Sequence, residues 1–82
     1  MTSDEFLQMM RNVNKASDYA GGVKLLAEFK DAGGTRSDAY QLLASLMGES
    51  NVNEDLVMDL LDIVTGWCYP SKRIWEGQYR PD

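Results

Sequence analysis

Histidine is absent from the 82-residue chain, which removes the commonest general base, the usual activator of a serine or cysteine nucleophile and the commonest zinc ligand. Most self-contained hydrolase mechanisms are thereby excluded. Cysteine occurs once, at Cys68, so no internal disulfide can form, whereas a secreted domain of this size ordinarily needs several. A reducing cytoplasm is the expected compartment. No apolar run approaches the roughly 20 residues that span a bilayer, and the opening Met1-Thr2-Ser3-Asp4-Glu5 is not the basic-then-apolar start of a secretory signal. Positive charge is also scarce: eight basic against thirteen acidic side chains give a net charge of -5. That balance disfavours anionic membranes and non-specific nucleic-acid binding, and it attracts a basic partner.

What is present is enough apolar material to fold. Hydrophobic residues make up 44% of the chain, well above the content of disordered acidic tails, and the length suits a single domain over residues 1–82. Their spacing predicts four helices. Thr2 or Ser3 caps the first, with Glu5 in the place of a capping box, and Phe6, Met9, Met10 and Val13 follow at helical period over about residues 3–13. Asn14 to Asp18 reads as a turn. Tyr19, Val23, Leu25, Leu26 and Phe29 then line one face of a helix over about 18–32, stopped by Ala32-Gly33-Gly34. Thr35 caps a third helix over 36–47, with Ala39, Leu42, Leu43 and Leu46 inward. Asn53 caps a fourth over 54–67, and here Leu56, Val57, Leu60, Leu61, Ile63, Val64 and Trp67 fall within an arc of roughly 160°. The fourth helix is the expected centrepiece of the core. Tyr69-Pro70 ends helical character, and residues 69–82 read as an ordered, aromatic, irregular tail whose Ile74 and Trp75 fold back on the bundle. The fold class is therefore all-α, a small four-helix antiparallel bundle.

Gly21-Gly22 interrupts an otherwise periodic helix, at a cost of about 2 kcal/mol relative to two alanines if both are helical. Either another backbone or a large side chain, such as Trp67 or Trp75, approaches closely there, or the helix begins only after the pair. Gly66 on the fourth helix offers a partner the same kind of close approach.

Few residues carry chemistry. Cys68 lies near a helix C-terminus, where the dipole disfavours a thiolate, and it reads as an inert thiol. Asp55, Asp59 and Asp62 recur at spacings of four and three, which places them on one side of the fourth helix, away from its apolar arc. With Glu54 they form either an ordinary solvated face or a surface that docks a cationic protein. A divalent-metal site needs about six oxygens and a supporting loop pattern that does not accompany them. A second stretch, Tyr69-Pro70-Ser71-Lys72-Arg73-Ile74-Trp75, combines aromatics with adjacent cations. It reads as a structural clamp in which Ile74 and Trp75 enter the core while Lys72 and Arg73 pair with the acidic helices. The rival reading is an exposed recognition patch of Tyr69, Lys72, Arg73 and Trp75, because such residues are enriched at interface hot spots.

In size, acidity and helical make-up the chain resembles the small cytoplasmic immunity proteins with which bacteria neutralise their own nuclease toxins. The segments Glu28 to Thr35 and Gly66 to Trp75 are also similar to those of uncharacterised small bacterial proteins. The resemblance is to a class without a shared motif, so it transfers no functional position. It implies a non-catalytic inhibitor, without cofactor or metal, whose acidic surface masks a basic groove. A regulatory adaptor or homo-oligomeric subunit is the alternative, in which the tail or the first helix, with Met9 and Met10, docks an apolar groove.

Overall fold

The computed structural model describes residues 1–66 together with Ile74 and Trp75, and each helix in it begins on a side chain that satisfies its first free N–H groups. Helix α1 (Ser3–Ala16) opens on a complete capping box: the Thr2 hydroxyl accepts from the Glu5 N–H at 3.1 Å, and Glu5 Oε1 accepts from the Thr2 N–H at 3.3 Å. Asp18 Oδ1 accepts from the Gly21 N–H at 2.9 Å to start α2 (Tyr19–Asp31). The Thr35 hydroxyl accepts from the Asp38 N–H at 3.1 Å to start α3 (Arg36–Met47). Asn53 Oδ1 accepts from the Leu56 N–H at 3.3 Å to start α4 (Glu54–Thr65). Among the described residues there is no strand, and the chain is an all-α four-helix bundle.

The helix ends are equally local in origin. Gly33 adopts a left-handed conformation with φ 93°. Its N–H donates to Lys30 O at 2.9 Å while that of Gly34 donates to Phe29 O at 2.8 Å, the paired bonds of a Schellman motif. The contact at Gly34 is tight, since a Cβ there would lie 2.4 Å from the Phe29 ring.

Helix α1 runs almost a turn beyond the expected end at Val13. Ser17, with φ 52°, takes the left-handed position, and the N–H groups of Ser17 and Asp18 donate to Asn14 O and Val13 O, each at 3.1 Å. Asn14 thus belongs to the helix and not to the turn. Helix α4 stops at Thr65, two residues short of the expected end, because Gly66 with φ 82° caps it. Gly66 is therefore a helix terminator, which corrects the expectation that it offers a partner close approach.

Helix α3 lies against α4 and α1 against α2, and contacts of α1 with α3 and of α2 with α4 close the bundle. All four supply the core: Phe6 and Met10; Leu25, Leu26 and Phe29; Ala39, Leu43 and Leu46; and Leu56, Val57, Leu60, Ile63 and Val64. Helix α4 gives the largest share, as its broad apolar arc requires. The Phe6 and Phe29 rings meet at 4.5 Å between centroids, tilted by 44°, a favourable arrangement of two ring quadrupoles. Met9 departs from expectation: neighbouring helical positions point about 100° apart, Met10 takes the inward one, and Met9 remains 44% exposed.

Both members of the glycine pair are helical, so a delayed helix start is excluded. Among the described residues the close approach comes from Leu60 of α4 and not from Trp75; Trp67 lies outside them. A Cβ on Gly22 would stand 2.8 Å from Leu60 Cδ1 and 3.3 Å from Val13 Cγ1, so the missing side chain lets α1, α2 and α4 converge. The described part of the tail does fold back. Ile74 and Trp75 pack half-buried against the core; Lys30 Nζ donates to Ile74 O at 2.8 Å, and the Arg36 guanidinium donates to Trp75 O. Trp67, Cys68 and the remainder of the expected tail lie outside the described residues. No helix among the described residues is long and apolar enough to cross a membrane.

Candidate functional site

Burying Leu56, Val57, Leu60, Ile63 and Val64 fixes the rotation of α4 about its axis. The opposite side then has to face water, and Glu54, Asp55, Asp59 and Asp62 are all exposed. Capping by Asn53 fixes where this carboxylate surface begins, and Gly66 fixes where it ends.

Two of the four acids have a local structural reason to be where they are. Glu54 and Asp55 occupy the first turn of α4, where the positive end of the helix dipole stabilises a carboxylate by about 0.3–1 kcal/mol. Asp59 and Asp62 have none. Aspartate is among the weaker helix formers, and Asp62 sits in the last turn, where the dipole is negative and no basic residue accompanies it. Both positions are locally unfavourable for the residue they hold.

Arg11, Lys30 and Arg36 are engaged elsewhere. Arg11 forms a two-pronged bridge with Glu49, Nε to Oε1 at 2.9 Å and Nη2 to Oε2 at 2.8 Å. The hydrogen bond from Arg11 holds the Glu49 carboxyl below the usual glutamate range, and Glu49 raises Arg11 in turn. Lys30 and Arg36 hold the backbone carbonyls of Ile74 and Trp75. Among the described residues, no ion pair involves Glu54, Asp55, Asp59 or Asp62. Also among the described residues, no group of three or more carboxylates, histidines or cysteines is placed to hold a metal ion.

The second candidate surface is only partly in view. Trp75 is half-buried against the core, which fits the clamp better than a free recognition patch. Among the described residues, Lys30 and Arg36 hold the clamp by gripping main-chain carbonyls. Tyr69, Lys72 and Arg73, with the expected pairing of Lys72 and Arg73 to acidic helices, lie outside the described residues.

Sequence reasoning missed Met58. It is 51% exposed, and it lies within the acidic surface, four residues from Glu54 and Asp62 and three from Asp55. The signal was legible, since Met58 is an apolar residue at a position outside the inward arc. Comparison with protein-family models, characterised proteins and solved structures finds no match to this chain.

Proposed function

We propose that this chain is a small, acidic, non-catalytic protein-binding module of the immunity type, which covers the basic groove of a bacterial nuclease toxin in the cytoplasm. The observation that carries this reading is the pair Asp59 and Asp62: exposed, unbridged among the described residues, and placed where helix energetics disfavour them. Unfavourable local choices of this kind mark surfaces selected for something other than stability. The net charge of -5 steers a cationic partner toward the molecule, and exclusion of water at contact strengthens each charge pair. Absence of histidine argues against an enzyme, because the commonest general base is missing.

Titration of the chain with a basic nuclease toxin from the same operon, across a salt series, tests the proposal. Affinity falls as ionic strength rises, and falls further for Asp59→Lys. Affinity indifferent to both removes the electrostatic basis.

One observation favours the adaptor or homo-oligomer alternative, namely that Met9 is 44% exposed on α1. Sedimentation at high concentration separates the two, because self-association through α1 yields a species heavier than the monomer that Met9→Gln abolishes.

A further inference from the structure

Among the described residues, nothing forms an ion pair with the exposed acids on the outer face of α4, and the exposed side chains of that face are not uniformly charged. Met58, at 51% exposure, is the most exposed large hydrophobic residue among those described. Residues three and four apart on a helix are surface neighbours, so Met58 is bordered by Glu54 and Asp55 toward the N-terminus and by Asp62 toward the C-terminus, with Asp59 adjoining. Leu61, three residues on, is half-buried and extends the apolar strip toward the core. The result is an apolar knob within a carboxylate rim. That is the anatomy of a recognition surface: an apolar centre that loses its water, surrounded by polar groups that set orientation and choice of partner. Methionine suits such a centre, because its unbranched and polarisable side chain adapts to the shape of the pocket that receives it.

Resting on the reading of α4 as the binding face, we infer that Met58 is the anchor of the interface and that the partner presents an apolar socket bordered by lysine or arginine. The occupant is thus an amphipathic basic protein surface, and a merely polycationic one does not fit. The carboxylates supply attraction at a distance, and Met58 supplies contact. A partner with the right charge and no socket encounters the face and leaves.

The experiment uses the full chain carrying ¹³C-methyl methionine and two peptide probes of equal positive charge. One is an amphipathic helical peptide of lysine and leucine, and the other contains lysine without leucine. The Met58 methyl resonance is assigned by its loss in Met58→Gln, a surface change whose fold is checked by circular dichroism. The expected result is a saturable shift of the Met58 methyl with the lysine and leucine peptide only. Met58→Gln then weakens that peptide by about five- to tenfold, the scale of one buried apolar contact, and leaves the salt dependence intact. Equal affinity for both peptides, unchanged in Met58→Gln, overturns the anchor while leaving the acidic-surface reading standing. Failure of both peptides to bind at low salt overturns the anchor and the acidic-surface reading together.

Discussion

The side-chain amide of Asn14 and the backbone of Asn53 hold each other in both directions: the Asn53 N–H donates to Asn14 Oδ1 at 2.7 Å, and Asn14 Nδ2 donates to Asn53 O at 3.1 Å. Asn14 is buried, and Asn53 is the residue that caps α4. The last turn of α1 therefore positions the start of the helix that carries the acidic face. Asn53 Nδ2 adds a bond to the Ser17 hydroxyl at 3.3 Å. A change at Asn14 is consequently felt at the candidate site through the register of α4.

Asn14→Ala removes both bonds and leaves the Asn53 groups without their partner, which lowers stability by about 2 kcal/mol. Asn14→Asp is the more informative variant. Its new carboxylate still accepts from the Asn53 N–H but faces the Asn53 carbonyl, so the charged form is disfavoured in the folded state and the folded pKa rises above the unfolded one. The Asn14→Asp variant is then relatively more stable below the ordinary aspartate value of about 4 and loses that advantage as pH rises. Urea denaturation at several pH values checks the sign.

Gly22→Ala ordinarily gains about 1 kcal/mol in a helix. Here the added methyl meets Leu60, which is fully buried, at 2.8 Å. Overpacking costs about 1–3 kcal/mol, and the net expectation is destabilisation by about 1 kcal/mol. The penalty disappears when Gly22→Ala is combined with Leu60→Ala, so a double-mutant cycle reads a coupling of favourable sign.

Asp62→Lys stabilises the isolated chain by about 0.3–1 kcal/mol, because it places a cation at the negative end of α4. The same change weakens binding to a basic partner. Chemical denaturation and titration on one preparation detect this opposition. A destabilised Asp62→Lys chain shows that Asp62 has a structural partner, and the functional argument from its position fails.

Glu49 titrates below the usual glutamate range because of its hydrogen bond from Arg11. A depressed folded value means that the bridge contributes stability above the unfolded pKa and loses it as pH falls through the folded one. Glu49→Gln flattens that acid-side slope. The pair is largely exposed, with side chains 39% and 36% accessible, so the effect is small and screened by salt.

Addition of Mg²⁺ or Mn²⁺ leaves the melting temperature unchanged. A ligand that binds only the folded state raises it, and a rise reversed by Asp59→Asn revives a metal-dependent activity for the α4 carboxylates.

Much of the bundle was readable because it rests on contacts within one helical turn. Thr2 with Glu5, Thr35 with Asp38, and Asn53 with Leu56 are all separated by three residues, and the inward face of α4 follows from period alone. The outward position of Glu54, Asp55, Asp59 and Asp62 is the complement of that face and came with it. Met58 lies in the same pattern, but period alone does not tell an apolar side chain left in water from one covered by a neighbouring element.

Sequence by itself determined four capped helices, the glycine stop after α2 and the carboxylate side of α4, since each is a property of neighbours along the chain. Tertiary structure decided that Asn14 stays helical and turns inward to Asn53, that Met10 and not Met9 enters the core, and that Leu60 fills the space left by Gly22. It also committed Lys30 and Arg36 to the carbonyls of Ile74 and Trp75. The contacts among those outcomes join residues 38 to 44 positions apart, and local spacing has no information about which distant surfaces meet. Only the simultaneous packing of all four helices, filling one core without voids, selects among them.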